Sequence, residues 1–264
     1  MAKKDRPHGK CSICGTECRL TFEHVPPEAA FNDARVREAD PRKILGAGSL
    51  EAIMTPQGLV KQRGAGRFTL CASCNSLTGA WYGTDYVHWA VQGMRHLLAA
   101  PHDIQLNRPF TIFPSRVFKQ ILAMFASACG PKMFAARPDL PRLVLNRDMK
   151  GCPEGLRMYV YYVEPKSTFV RQSGVSARLS LDHPTSTYSE IAFPPFGYLL
   201  AFASPPPDGR LVDITFFSQS SYDDARELSL SFPVLSVCSP FPGDFRSREE
   251  LNDAFEASMR GEGN

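Results

Sequence analysis

The chain has 264 residues, of which 43% are hydrophobic and 22% are charged, and its formal net charge at pH 7 is +3. This length and composition predict one or two compact units with a hydrophobic core. No apolar stretch is long enough to cross a membrane, and the first residues lead into no apolar signal segment. These features exclude a membrane-spanning or secreted protein, so we expect a soluble, cytoplasmic protein with no membrane partner.

Two cysteine pairs with identical spacing, Cys11–Cys14 and Cys71–Cys74, are the strongest motif in the chain. Because no secretory signal is evident, a metal site is favoured over disulfides. Four thiolates in two CxxC turns suit tetrahedral Zn²⁺. Cys18 lies close enough in sequence to compete as a ligand, but the paired spacing favours Cys11 and Cys14. The other cysteines are expected to be buried thiols: Cys129, Cys152 and Cys238.

A long insertion separates the two cysteine pairs, and short elements are predicted on both sides of it. The sequence predicts a strand at 19–22, a short helix near 28–38 followed by a loop or hairpin, and a strand at 67–70. The first strand ends at the Glu23-His24 dipeptide, because Pro26 and Pro27 follow it. A helix is predicted to begin at Asn75, where polar residues suit a helix N-terminus.

Helical periodicity dominates the middle of the chain, and strand periodicity dominates the rest. Two helices are predicted, one over 87–98 and one from 115 to the Gly130-Pro131 pair. The strands predicted after them lie at 156–163, 175–181, 187–193, 197–203, 211–217 and 228–237. These strands indicate a mostly antiparallel sheet. Ser247 and Glu250 have the spacing of a capping box, which predicts a final amphipathic helix.

Three polar side chains are brought together if the cysteine pairs bind one ion. Glu23 and His24 follow the first pair, and Asn75 follows the second directly. A carboxylate and an amide oxygen are hard ligands that suit Mg²⁺ or Mn²⁺ rather than the sulfur-bound zinc. Along a strand Glu23 and His24 would point in opposite directions. A neutral imidazole is a natural general base near neutral pH.

This order of residues resembles the His-Asn-His endonucleases, also called ββα-metal nucleases. A CxxC pair, an acidic-His dipeptide at a strand end and a second CxxC followed by Asn75 are similar to the phage resolvase (endonuclease seven) subgroup. The resemblance covers residues 11 to about 83. It implies a zinc-bound treble clef that hydrolyses phosphodiester bonds with one divalent cation and leaves 5′ phosphates.

The same resemblance implies a role for each matched residue. His24 corresponds to the general base, and Glu23 and Asn75 correspond to the ligands of the catalytic Mg²⁺ or Mn²⁺. The structural zinc set corresponds to Cys11, Cys14, Cys71 and Cys74. The chain departs from the family in having Glu23 where Asp or His is commoner, and in the length of the segment after His24. Asn32 is a candidate for the family's middle Asn.

The first 70 residues carry 12 Lys and Arg against 8 Asp and Glu, whereas the remainder carries 18 against 19. This cationic bias suits a polyanion, although an ordinary solvated surface explains it equally well. Lys61, Arg63 and Arg67 lie just before the second cysteine pair and are the candidate contacts to phosphates. The alternative for these three residues is a solvated basic stretch.

Together these patterns predict an α+β protein with three regions. Residues 1–83 are predicted to form the zinc-bound nuclease module, 84–150 a helical connector, and 151–264 an antiparallel β-rich domain with a C-terminal helix. The leading hypothesis is a metal-dependent endonuclease acting on double-stranded DNA, in restriction or phage defence. The C-terminal region would then serve target recognition, activation or formation of a homodimer. The alternatives are a zinc-dependent nucleic-acid-binding module without catalysis and an RNA-directed nuclease.

Overall fold

A computed structural model describes residues 6–39, 44, 49–55, 57–179 and 184–260, which adopt an α+β fold. The strands are β1 His8–Lys10, β2 Glu17–His24, β3 Val36–Ala39, β4 Gly58–Lys61, β5 Gly66–Cys71, β6 Gln105–Ile112, β7 Leu156–Val163, β8 Arg171–Gln172, β9 Ser176–Arg178, β10 Ser186–Phe193, β11 Phe196–Phe202, β12 Val212–Asp213 and β13 Arg226–Leu235. The α-helices are α1 Leu50–Met54, α2 Ala72–Thr78, α3 Thr84–Ala99, α4 Pro114–Cys129, α5 Pro131–Ala136, α6 Asp139–Leu145 and α7 Arg248–Met259. None of the helices in this described part of the chain has the length and apolar character needed to cross a membrane.

The N-terminal part is a small antiparallel sheet, in the order β1-β2-β5, followed by a helix. β5 runs directly into α2, because the Cys71 sulfur caps the helix by accepting a hydrogen bond from the Cys74 amide at 3.3 Å. A π-helical turn, Gly79–Gly83, then joins α2 to α3. The predicted helix therefore exists but begins at Ala72, three residues before Asn75.

The C-terminal part is built on an eight-stranded sheet with the main order β6-β13-β7-β11-β10-β8. β12 pairs with β7, and β9 pairs with β10. Every pairing is antiparallel except that of β13 with β7, which is parallel. The prediction of a mostly antiparallel sheet is confirmed. The capping box is also confirmed, since Ser247 and Glu250 exchange both hydrogen bonds at the start of α7.

One helix, α4, joins the two sheets. It is buried over nearly its whole length and packs against both β5 and β10. Thr69 of β5 donates a hydrogen bond to Ser127 of α4 at 2.9 Å. A single cluster of buried side chains extends from Cys11 to Phe232. The small sheet therefore shares its hydrophobic core with the large one, and this core crosses residues 83 and 150.

Two sequence predictions are wrong. The helix near 28–38 is absent, and these residues form turns and then β3. Phe31 has a φ of 69°, which a helix does not tolerate. Most of the strand at 211–217 is also absent. β12 covers two residues, and the Asp213 carboxylate accepts a hydrogen bond from the Thr215 amide at 2.7 Å, which starts the 3₁₀-helix Thr215–Gln219.

Other strand predictions are confirmed with shorter or shifted bounds, and several elements were not predicted. The strand at 175–181 shortens to β9, and Ser180 and Leu181 lie outside the described residues. β6 was missed although Leu106, Phe110 and Ile112 are buried at alternate positions of it. Pro109 obscures this pattern, and it is tolerated because β6 is an edge strand.

A buried ion pair lies inside the large sheet. The Arg171 guanidinium is 3.0 Å from the Glu190 carboxylate, and both side chains are almost completely buried. Glu190 also accepts hydrogen bonds from the Tyr161 hydroxyl at 2.5 Å and the Gly243 amide at 2.8 Å. Arg171 donates in turn to the Asp244 carbonyl at 2.9 Å. The pair therefore fastens the segment before α7 to β8 and β10.

We expect Arg171→Met to destabilise the protein by about 3–5 kcal/mol, because the Glu190 carboxylate would stay buried without its counter-charge. Chemical denaturation followed by circular dichroism measures this loss. The control is Arg210→Met, which removes an exposed ion pair to Asp208 and should cost less than about 1 kcal/mol. Equal losses in the two variants would contradict this assignment.

Candidate functional site

The two cysteine pairs meet in space as the sequence predicts. The sulfur atoms of Cys11, Cys14, Cys71 and Cys74 all lie within 4.8 Å of one another, and those of Cys14 and Cys71 are 3.9 Å apart. Sulfurs bound 2.3 Å from a tetrahedral zinc ion lie about 3.8 Å apart. The four thiols therefore fit a zinc ion with little rearrangement.

Backbone hydrogen bonds position both cysteine pairs of this cluster. The first pair forms a tight turn in which the Gly15 amide donates to the Cys11 carbonyl at 2.9 Å, and Gly15 has a φ of 73°. The Ser12 amide donates to the Thr69 carbonyl at 2.8 Å, which ties the first pair to the strand that carries the second. The second pair is fixed by the start of α2, with Cys71 as its cap.

Crowding of the sulfurs alters the pKa values of the thiols. A hydrogen bond from the Cys74 thiol lowers the pKa of Cys11 to about 4, and the same bond raises the pKa of Cys74. The cluster therefore favours a thiolate at Cys11, which is the form that binds zinc. Burial, followed by the charges of Cys11 and Cys14, raises the pKa of Cys18. Cys18 is thus a neighbour of the four-sulfur cluster and not a member of it.

The hairpin of β2 and β5 places the dipeptide Glu23-His24 at the end of β2. A bulge at Thr69 interrupts β5 opposite Thr21, whereas β2 itself is regular. Alternate residues of β2 therefore lie on opposite faces. Thr21 contacts α2 on one face, where its hydroxyl accepts a hydrogen bond from the Asn75 side-chain nitrogen at 3.0 Å. Glu23 follows two residues later on this face, about 7 Å along the strand.

The Glu23 carboxylate is half-buried and makes no hydrogen bond or ion pair with another described residue. Burial alone raises its pKa to about 7. Asn75 donates a hydrogen bond to Thr21 through its side-chain nitrogen. Its side-chain oxygen accepts no hydrogen bond within the described part of the chain. Carboxylate and amide oxygens are ligands of the hard kind, but Glu23 belongs to no group of three or more His, Cys, Asp or Glu side chains within metal-binding reach among the described residues.

The His24 ring lies on the face of β2 opposite to Glu23, and a backbone carbonyl orients it. Its Nε2 lies 3.1 Å from the Arg63 carbonyl oxygen. A carbonyl only accepts hydrogen bonds, so Nε2 carries the proton, and Nδ1 keeps a free electron pair in the neutral ring. Nδ1 has no hydrogen-bond partner among the described residues, and the side chain is half-buried. The imidazole is thus both oriented and accessible.

Asn32, which is completely buried, clamps the loop that follows His24. Its side-chain nitrogen donates to the carbonyls of Pro26 at 2.6 Å and Ala65 at 2.7 Å, and its oxygen accepts from the Ala65 amide at 2.7 Å. The Val25 amide also donates to the Ala65 carbonyl at 3.0 Å. These bonds hold the end of β2 against the start of β5. The side chain of Gln172, in β8, donates to the Val25 carbonyl from the large sheet.

The three basic residues lie around this strand end, and two of them are paired. The Lys61 ammonium is 2.9 Å from Glu38 and 2.9 Å from the Gly66 carbonyl, and Arg67 is 3.9 Å from Glu38. Arg63 is exposed and forms no ion pair with another described residue. The three residues therefore flank the backbone at the end of β2, where Glu38 offsets part of their charge.

Comparisons with known proteins give no further guidance about the site. No family model, no curated protein and no solved structure matches the chain. Asn32 is a candidate from the sequence only through the family resemblance, and neither Thr21 nor Gln172 was predicted to lie at the site. A lone polar residue gives no sequence signal of the backbone groups that it will meet.

The raised pKa of Glu23 predicts a pH-dependent stability. Because the folded chain binds this proton more tightly than the unfolded chain, the contribution of Glu23 to stability is fully present below about pH 4.5 and is lost as the pH rises through about 7. The loss is at most about 3 kcal/mol, since the group is partly solvated. Denaturation of the zinc-loaded protein at several pH values, without other divalent ions, should show this decline. Glu23→Gln should reduce the decline, and the exposed control Glu17→Gln should leave it unchanged.

Proposed function

We propose that the chain is a metal-dependent endonuclease of the His-Asn-His type, which hydrolyses phosphodiester bonds in DNA. One observation carries this proposal. An oriented imidazole, His24, and a desolvated carboxylate without a partner, Glu23, are adjacent at the end of β2, the strand in which Thr21 is bonded to Asn75 of α2. Unpaired buried carboxylates are costly, and they are concentrated at functional sites.

The local architecture supports the same family. A cysteine turn, the β2–β5 hairpin and α2 follow one another in the order that a treble clef requires, and the four sulfurs close them into one unit. Asn32 lies between the strands of the hairpin and clamps their ends. We therefore assign Asn32 as the middle Asn of the motif, with His24 before it and Asn75 after it.

The chemistry follows from what each side chain can do. Nδ1 of His24 accepts a proton from the attacking water, and the Arg63 carbonyl stabilises the imidazolium that forms. Glu23 and Asn75 would hold Mg²⁺ or Mn²⁺, which when bound neutralises charge on the phosphate and the leaving oxygen. Lys61, Arg63 and Arg67 supply positive charge for the nucleic-acid backbone. We expect products with 5′ phosphates from the family resemblance.

A second candidate function is a zinc-dependent nucleic-acid-binding module without catalysis. The shortage of ligands for a catalytic ion favours this function. Among the described residues, Glu23 is not part of any group of three or more His, Cys, Asp or Glu side chains within metal-binding reach. In this case Glu23 and His24 would contribute only to packing. An RNA-directed nuclease is a variant of the first proposal, since hydrolysis by an activated water does not require the 2′ hydroxyl.

Incubation of the zinc-loaded protein with plasmid DNA, single-stranded DNA and RNA separates these functions. Mg²⁺ or Mn²⁺ is added to one half of the reactions, and the other half receives buffer freed of these ions. Cleavage of DNA that depends on the added ion supports the endonuclease. Binding without cleavage under all conditions would support the second candidate, and cleavage of RNA alone would change the substrate.

A further inference from the structure

Two exposed phenylalanine rings lie beside His24 on the β2–β5 hairpin. Phe22 and Phe68 face each other across the strands, with ring centroids 5.3 Å apart, and they are 37% and 42% exposed. The Phe22 ring also contacts the His24 imidazole, at a centroid distance of 5.0 Å. We call Phe22, His24 and Phe68 the aromatic platform.

The aromatic platform does not belong to the hydrophobic core. Neither phenylalanine is part of the buried cluster, whereas Thr69 and Leu70 of the same hairpin are buried. Two adjacent phenylalanine rings in contact with water forgo the free energy that burial would provide. Their exposure at the strand end that carries the candidate general base indicates a ligand that covers them.

The position of the Phe22 ring depends on a glycine. Gly66 pairs with His24 across the hairpin, and a Cβ atom there would lie 2.7 Å from the Phe22 ring. Because Gly66 has no side chain, the ring can lie across the neighbouring strand and reach the imidazole. A base that stacks on Phe22 therefore lies within one nucleotide of a phosphate that faces His24.

The charges around the aromatic platform fit a nucleic-acid strand. The Lys61 ammonium is bound to the Gly66 carbonyl at 2.9 Å, and the Arg63 carbonyl holds the His24 ring. Arg67 pairs with Glu23 and lies on the opposite face of the sheet from the rings, so the charges beside the aromatic platform are those of Lys61, which Glu38 partly offsets, and Arg63. Cationic groups that follow a backbone, combined with aromatic rings on which bases stack, are typical of single-strand binding.

We propose that the aromatic platform stacks an unpaired base, so that the substrate is single-stranded at the phosphate presented to His24. In an intact duplex the faces of the bases are already stacked on one another and could not reach these rings. The inference rests on the proposed function for the cleavage step, whereas the stacking itself can be measured without cleavage.

The test measures binding to a fluorescent single-stranded oligonucleotide, and to a duplex of the same sequence, with zinc-loaded protein and no added Mg²⁺ or Mn²⁺. We expect Phe22→Leu and Phe68→Leu to weaken single-strand binding about 5- to 100-fold, because leucine retains the apolar volume but removes the stacking face. Duplex binding should change by less than about twofold, since phosphate contacts dominate it. Quenching of 2-aminopurine in the oligonucleotide by the wild-type protein, and its loss in the variants, reports the stacking directly.

The matched control is Phe216→Leu, which removes another exposed phenylalanine far along the chain and should leave both affinities unchanged. Absence of single-strand binding, or equal losses on single strand and duplex, would overturn the inference. A concentration-dependent dimer that Phe22→Leu dissociates, without oligonucleotide binding, would assign the surface to a second copy and also overturn it. Stacking without any cleavage would contradict the proposed function alone.

Discussion

His24→Ala is expected to reduce the rate of phosphodiester cleavage about 10²–10⁴-fold, as the loss of a general base does. The imidazole is half-buried at the end of β2, and its hydrogen bond is to the Arg63 carbonyl rather than to a side chain. Its removal should therefore leave the fold intact. Cleavage of labelled DNA under single-turnover conditions measures the chemical step, and circular dichroism monitors the fold.

His88→Ala is the matched control for this variant, because His88 is an exposed histidine of α3 outside the site. It should cleave DNA at the wild-type rate. An unchanged rate in His24→Ala would remove His24 from the mechanism. A rate restored to His24→Ala by added imidazole would identify the missing group as a base rather than a positioning contact.

Cys74→Ser is expected to reduce the stability of the protein far more than His24→Ala does. Cys74 is a buried member of the four-sulfur cluster and also lies in the first turn of α2. Structural zinc contributes about 10–16 kcal/mol of binding free energy, which is comparable to the whole stability of a domain. The variant should lose its bound zinc, measured by elemental analysis, and unfold at least the region from Cys11 to α2.

Cys18→Ser is the control that separates the cluster from its neighbour. Cys18 lies on β2 beside the four sulfurs, but it is not one of the atoms that lie within 4.8 Å of one another. The variant should keep one zinc ion per chain and the wild-type thermal midpoint to within a few degrees. Loss of zinc from Cys18→Ser with retention by Cys74→Ser would show that the ligand set has been assigned wrongly.

The sequence was sufficient wherever local chemistry decided the structure. The two CxxC pairs predicted the sulfur cluster, because each tight turn needs only its own residues to present two thiols. Strands were predicted at 156–163 and 187–193, and they are present as β7 and β10. The sequence predictions failed where contacts between residues distant in the chain determine the local structure. The turn at Phe31 is fixed by the contacts of Asn32 with Ala65, which no local pattern reveals.

At the candidate site, too, some features could be predicted from the sequence and others depend on contacts between distant residues. Glu23, His24 and Asn75 were proposed as a set because their order along the chain resembles a known motif. The desolvation of Glu23 and the free side-chain oxygen of Asn75 depend on how β2 packs against α2, and they needed coordinates. The exposed rings of Phe22 and Phe68 looked like ordinary strand residues in the sequence. Only the pairing of the strands showed that both lie on the side of His24.

The Asn32 side chain has a consequence for how this region can change in evolution. Three short hydrogen bonds join Pro26, Asn32 and Ala65 into a closed ring, and the chain between Asn32 and Ala65 leaves the ring and returns to it. Doubling the length of such an excursion costs only about 0.6 kcal/mol. Residues in that segment can therefore be gained or lost at little cost in stability without altering the separation of the two strand ends, provided that Arg63, whose carbonyl orients His24, keeps its place.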